Sequence, residues 1–374
     1  MKNPEIMDLY SDYLLSSFST ATSVNLSQML DGLISHDKIS RFLGQKKLEP
    51  KDFWKLVKPL IRKIESNDAV LVIDDTIEEK PYTTENDIVC WHWDHSKDMN
   101  VKGINIVNFL YCSKTINGEE VNLPVSFQII EKNERYYDVV SQKTKRRSAT
   151  SKNEILREHL RNIVQLNRLV FKYLSWDIWF SSADNFDYVH KVLKKYFVSA
   201  LKSNRTFALS MEEKRQGKFV NIDSINMESN RIYKVWLKGL DFETHLIKQV
   251  FTNEDGSNGV SYLITNDLEL SFEQICTIYK KRWNVEVFHK SLKQNVLLEK
   301  SPTKYEVTQS NHIFASLIAF CKLEILKYKE NMNHFQIKSR LYLCAIKAAF
   351  KELQTIKINY STVIPIKSRP LAIT

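Results

Sequence analysis

The stretch Ala69-Val-Leu-Val-Ile-Asp-Asp-Thr76 decides how the rest of the chain is read. Five apolar residues in a row, without the alternation of a half-buried strand, predict a strand covered on both faces near the middle of a sheet. That strand is expected to end by delivering acids, and a carboxylate in such a place is costly unless it faces a site for cations or polar substrate. Downstream, Ile104 to Cys112 and Val121 to Ile130 read as two more strands, joined by a segment whose Asn117-Gly118 is a strong hairpin signal. A helix from about Asn153 to Leu166 leads to a strand from Leu169 to Trp176 that stops at a second acid, Asp177. Another helix, about Ala183 to Tyr196, brings the chain to Phe197–Leu201. Elements in the order βββαβα give an α/β fold, and this order suits a mixed sheet with flanking helices.

Flanking regions differ in texture. From Asp8 to Ile64 short helical patterns (Ser11 to Phe18, Leu26 to Leu33, Lys51 to Ile64) predict a helical N-terminal module over 1–66. Its cluster His36, Lys38, Arg41, Lys46 and Lys47 suits contact with phosphates. The stretch Ser141 to Lys152, with Lys143, Lys145, Arg146 and Arg147, reads as a mobile basic loop. Residues 204–268 turn β-rich again, with Arg231 to Leu240, His245 to Thr252 and Gly259 to Thr265 as strands, and form an insertion between core parts 67–203 and 269–330. Residues 331–374 complete the chain as a helical region. The run Cys90-Trp-His-Trp-Asp-His95 invites a zinc reading, but with no second pair of ligands nearby it is taken as a loop of His and Trp between strands.

Composition narrows the partners. Lys and Arg number 54 against 44 Asp and Glu, for a net charge of +10, which biases the surface towards polyanions. Five scattered cysteines form no CxxC pair, so neither a disulfide framework nor a zinc ribbon is expected. No run approaches a membrane span and no signal peptide is recognisable, so a cytoplasmic protein without membrane contact is expected.

The sharpest chemical signal lies in Ser271 to Asn295, read as one long helix: Tyr279, Arg282, Glu286 and Lys293, spaced Y-x2-R-x3-E-x6-K. At about 100° per residue all four share a stripe roughly 60° wide. The adjacent stripe Ile278, Val285, Leu292 with Phe288 supplies an apolar face for docking on a sheet. Read alone, Arg282 and Glu286 also make an ordinary i,i+4 ion pair. Together with Asp74 and Asp177, however, Glu286 completes a set of three hard oxygen donors of the kind that holds two Mg²⁺ or Mn²⁺ ions for phosphoryl transfer.

Carried by Val72-Ile-Asp-Asp-Thr76, Tyr173-Leu-Ser-Trp-Asp-Ile-Trp-Phe-Ser-Ser182 and the segment Tyr279 to Lys293, with a β-rich insertion before the last acid, the chain resembles the DDE transposases of bacterial insertion sequences, in the branch marked by the Y-R-E-K signature. The resemblance covers about three quarters of the chain and implies a ribonuclease H-like core. It implies that Asp74, Asp177 and Glu286 are the catalytic metal ligands, with Asp75 the alternative to Asp74, although the family pattern D-x-T favours Asp74 because Thr76 then falls in place. It further implies that Tyr279, Arg282 and Lys293 contact DNA phosphates, and offers Trp236 as the aromatic that holds a flipped base. The implied activity is cut-and-paste transposition: binding terminal inverted repeats on double-stranded DNA, cleaving the ends with two divalent metals and joining the 3′-hydroxyls to target DNA, as a homodimer assembled on DNA. A nuclease without strand transfer and an inactive DNA-binding derivative are the rivals.

Overall fold

A computed structural model describes residues 3–95, 97–115, 117–252 and 256–363; the end of the expected C-terminal region, 364–374, lies outside them. Four helices come first: α1 (Asn3–Ser16), α2 (Ser23–Met29), α3 (His36–Gln45) and α4 (Pro50–Ile64). Then follow β1 (Val70–Glu79), β2 (Cys90–Asp94), β3 (Met99–Lys114), β4 (Glu120–Ile129), β5 (Glu134–Asp138), β6 (Lys143–Arg147), α5 (Lys152–Arg161), β7 (Tyr173–Trp176), α6 (Ala183–Asp187) and β8 (Tyr196–Leu201). The β-rich part holds β9 (Thr206–Ala208), α7 (Met211–Arg215), β10 (Val220–Asn221), β11 (Ile232–Leu237), β12 (Thr244–Thr252) and β13 (Asn258–Thr265). Helices α8 (Phe272–Lys280), α9 (Trp283–Asn295), α10 (Glu306–Glu330) and α11 (His334–Val363) close the described chain. Among the described residues no helix is long and apolar enough to cross a membrane.

The expected α/β architecture is present as one large mixed sheet with helices on both faces. Its strands run β10-β9-β11-β12-β13-β8-β7-β1-β3-β2, with β4 also on β3. β1 pairs antiparallel with β3 and parallel with β7, and β7 pairs parallel with β8. The strands of the 204–268 region extend this same sheet through the antiparallel pair β13–β8.

Cross-strand partners point to the same face, so the register assigns every core side chain to a layer. Asn108 pairs with Asp74 and with Phe127, and its amide meets His289 of α9 at 3.1 Å. Phe127 packs edge-on against Phe53 of α4 and Phe314 of α10. Helices α4, α9 and α10 therefore cover one face. On the other face Phe109, the partner of Ile73, stacks on His159 of α5, and Trp176 stacks on Phe186 of α6. Ile73, Phe109 and Trp176 are fully buried, as a strand covered on both sides requires.

Several boundaries depart from the sequence reading. β1 does not end at its acids: it runs on to Glu79, because β3 supplies backbone partners through Gly103 that outweigh the low strand preference of Asp and Glu. The run Cys90–Asp94 is an edge strand on β3, not a loop. The basic loop is half of a β5–β6 hairpin, in which Arg147 pairs with Glu134 and Lys145 with Asp138. The long helix expected over 271–295 breaks at Lys281 and Arg282, where successive amides bond three residues back (Lys281 to Ile278, Arg282 to Tyr279) in the tighter turn that interrupts an α-helix.

Gly103 sits where β1, β2 and β3 meet, opposite both Glu79 and Cys90. A Cβ placed there would lie 2.2 Å from the Glu78 carbonyl oxygen and 2.9 Å from the Ile77 Cγ2. Gly103→Ala is expected to lower stability by about 1–3 kcal/mol, the range for forced overpacking, read as a shifted urea midpoint.

Candidate active site

The parallel pair β1–β7 brings the first two acids together. Ile73 lies opposite Trp176, so Asp74 and Asp177 are the next residues on adjacent strands. The third acid arrives from α9, which packs on β1 and buries Val285, Phe288 and Leu292. At the break before α9, Arg282 turns inward and is buried. One guanidinium nitrogen donates to Glu286 Oε1 at 2.9 Å, and the other lies 3.9 Å from Asp74 Oδ2. Burial works against the charge of Arg282, but Tyr279, Asp177, Glu286 and Asp74 outweigh it and raise its pKa. The cation thus pairs with Glu286, comes close to Asp74 and feels the charge of Asp177 at longer range.

Asp74 and Asp75 are adjacent in sequence and opposite in chemistry. Burial, then repulsion from Asp75, pushes the Asp74 carboxyl up to about 7, with Asp177 adding to the rise and Arg282 opposing it. Asp75 points to the α5 face, where it accepts from Lys152 Nζ at 2.7 Å and Asn105 Nδ2 at 2.6 Å. Burial pushes Asp75 up too, but Lys152 and Asn105 outweigh it and hold its carboxyl below the usual range. Of the two candidate acids, only Asp74 shares the guanidinium of Arg282 with Glu286.

Tyr279 is half-buried beside this cluster, with its hydroxyl pKa raised chiefly by burial. The Arg282 guanidinium lies 5.7 Å from its ring centre and 5.1 Å from that of the exposed Trp283. Lys293 reaches further along β1, donating to the Ile77 carbonyl at 2.9 Å and pairing with Glu299 at 3.1 Å. Beside Arg282 opens a cleft of about 540 Å³ lined by Tyr279, Lys280, Trp283, Gln249, Phe251 and Ser261.

The remaining candidates lie elsewhere. Trp236 is on β11, separated from β7 by β12, β13 and β8, with Lys214 Nζ 4.7 Å from its ring centre. Arg41 and Lys46 are exposed on and just after α3, whereas Lys47 pairs with Glu131. Arg146 bonds Asp87 and the Lys132 carbonyl, and Arg147 pairs with Glu134 across the hairpin. Sequence reasoning had Lys152 only as part of the basic stretch, without its bond to Asp75, and overlooked Asn105, Phe251 and Trp283. Trp283 was within reach, since an aromatic between the Arg and Glu of a polar helical stripe has nothing apolar to pack on.

The three acids offer only hard oxygen donors concentrated around one positive charge, and that donor chemistry fits a hard divalent cation. As placed around Arg282, no three His, Cys, Asp or Glu side chains among the described residues stand close enough to hold an ion. Ion binding therefore calls for Arg282 to withdraw or for Glu286, which is partly exposed, to turn towards the aspartates.

Residues 136–321, close to half of the chain, match a family model described as "Transposase DDE domain". This match supports a DDE transposase family; it takes in Asp177 and the segment from Tyr279 to Lys293 and leaves out Asp74, whose place in the cluster rests on geometry alone. No curated protein matches the sequence. Among solved structures the chain is similar to one titled "Drosophila P element transposase strand transfer complex", at 11% identity over 94% of this chain and 86% of that one, with a TM-score of 0.28. At that level of superposition nothing is carried over from it.

A carboxyl whose pKa is near 7 in the fold and about 3.9 when unfolded keeps a proton that the unfolded chain releases, so stability declines as pH rises between those values. In metal-free buffer, Asp74→Asn is expected to be more stable than the parent at pH 8 by a few kcal/mol and to match it near pH 4, in thermal or urea unfolding. A loss of stability at pH 8 would instead mean that the Asp74–Arg282 attraction dominates.

Proposed function

We propose that this chain is a DNA transposase of the cut-and-paste type that works on a ribonuclease H-like core, the reading favoured by the gathering of Asp74, Asp177 and Glu286 about Arg282. Asp74, Asp177 and Glu286 are the groups that would hold two Mg²⁺ or Mn²⁺ ions. Bound there, divalent ions supply activation of a water or 3′-hydroxyl and stabilisation of the leaving oxygen. Support for the core comes from its order: antiparallel β1, β3 and β4, then α5, then β7 and β8 parallel to β1.

In this reading the chain's cations do the positioning. Arg282, once released from the acids by metal, has a planar fork suited to a phosphate oxygen pair, and Tyr279 beside it offers a hydroxyl. Lys293, anchored on the backbone of the strand that carries Asp74, places a further positive charge along the same face. The exposed Arg41 and Lys46 of the helical N-terminal part are suited to the phosphates of a terminal inverted repeat. The substrate is double-stranded DNA, both transposon ends and target, in a bacterial cytoplasm.

Two ends must be held together, and α11 offers a means of pairing two copies. Leu343, Ile346, Phe350 and Leu353 fall at alternating three- and four-residue spacing and are 43% to 61% exposed, the pattern of a coiled-coil seam without its partner. Leu343→Glu with Phe350→Glu is expected to convert a DNA-bound dimer to monomers in light scattering, leaving far-ultraviolet circular dichroism unchanged.

Cleavage of a DNA fragment carrying the element's own end tests the function. Asp74→Asn, Asp177→Asn and Glu286→Gln should each lower the Mg²⁺-dependent rate by roughly three orders of magnitude, the upper range for losing one charge contact to a transition state, while DNA binding persists. Pre-cleaved ends should join to a plasmid in the parent; cutting without joining would leave a plain nuclease, and neither activity would leave a DNA-binding derivative.

A further inference from the structure

The ribbon formed by β2 and the first part of β3 carries aromatic rings with no partner in the core. The β1–β3 ladder ends at Glu79–Gly103, followed by one bond from the Lys80 amide to the Lys102 carbonyl, whereas β2 pairs with β3 from Cys90–Gly103 to Asp94–Met99. β2 and the first residues of β3 therefore project beyond β1 as a two-stranded ribbon. Cys90 and His92, opposite Gly103 and Val101, are buried, while Trp91 and Trp93 are 53% and 47% exposed.

The register says which way the tryptophans face. Trp91 lies opposite Lys102 and Trp93 opposite Asn100; the even positions of β3 lead on to Asn108, opposite Asp74. Trp91, Trp93 and Lys102 thus stand on the face of the sheet that carries the acid cluster. Just past β2, His95 stacks on Trp179 with ring centres 3.8 Å apart and planes 17° from parallel. Trp179, itself 47% exposed, is two residues beyond Asp177, and Lys202 Nζ lies 4.2 Å from its ring centre. Lys102 Nζ lies 6.0 Å from the Trp91 centre. A row of aromatic faces interleaved with cations runs from the ribbon to the turn after Asp177.

Single exposed apolar residues are ordinary on a protein surface, but flat rings alternating with ammonium groups match one chemistry closely: bases that stack and phosphates that pair with the cations. An intact duplex hides its base faces, and an apolar protein surface would strand the lysines. We infer that the β2–β3 ribbon, with Trp91, Trp93 and the His95–Trp179 stack, binds an unpaired stretch of DNA strand next to the acid cluster. The inference takes its ligand from the transposase reading above.

Fluorescence anisotropy with the full chain tests it, comparing a blunt duplex with the same duplex bearing an unpaired overhang of about six nucleotides, a length within the usual range for such surfaces. The parent should favour the overhang by about tenfold or more, the scale of stacking one or two bases. Trp91→Ala with Trp93→Ala should lose that preference and keep blunt-duplex binding, whereas Trp91→Phe with Trp93→Phe should retain most of it. A parent indifferent to the overhang, an alanine pair that keeps the preference, or equal loss on both DNAs would overturn the proposal. Metal-dependent cleavage by the parent reports on the transposase reading separately: absent cleavage with an intact overhang preference removes that reading and spares this one, and the reverse result does the opposite.

Discussion

Arg282 places one nitrogen 2.9 Å from Glu286 and another 3.9 Å from Asp74, with Asp177 near enough to strengthen its charge, and much of the structure serves that arrangement. Carboxylates partly withdrawn from water repel one another and lose hydration, so acids gathered in this way call for a cation among them or a proton on one of them. The parallel β1–β7 register fixes two of the acids, and the break between α8 and α9 turns the guanidinium inward. The apolar side of α9 sets the depth of the third. Each contribution comes from a different part of the chain, and none makes a site alone.

The same strand carries two acids with opposite fates. Asp75 is satisfied by Lys152 and Asn105 on the α5 face and needs nothing more. Asp74 keeps its proton to about pH 7 because burial and its neighbours penalise its charge. An acid in that state gains most from a strong positive charge brought by a ligand, and of the two neighbours Asp74 is the one proposed to meet it. Asp75, with its charge already balanced, adds repulsion that any cation at Asp74 would relieve.

How legible was this in the sequence? The apolar run before Asp74, the second run before Asp177 and the spacing of Tyr279, Arg282, Glu286 and Lys293 were sufficient to foresee an α/β sheet with acids on neighbouring strands, because burial on both faces leaves a continuous apolar signature. The choice between Asp74 and Asp75 was not legible physically, since only the pairing with β3 decides which face each occupies. β2 escaped notice because its alternation is of tryptophan with histidine and cysteine, which resembles a ligand-rich loop until an edge strand is considered. β6, Lys143–Arg147, has no apolar residue at all; its pairing with β5 carries two ion pairs, Arg147–Glu134 and Lys145–Asp138, that no periodicity announces. The break at Lys281–Arg282 leaves no mark in the periodicity, because a turn of three residues instead of four keeps the polar stripe nearly in line.

Everything rests on the acids exchanging the Arg282 cation for a divalent ion. Titrating Mn²⁺ into the full chain bound to its DNA end, while following the electron paramagnetic resonance signal of the free ion, measures that exchange without any catalysis. The account predicts Mn²⁺ uptake by the parent and its loss in Asp177→Asn. Uptake equal in both, or none in the parent, would contradict it.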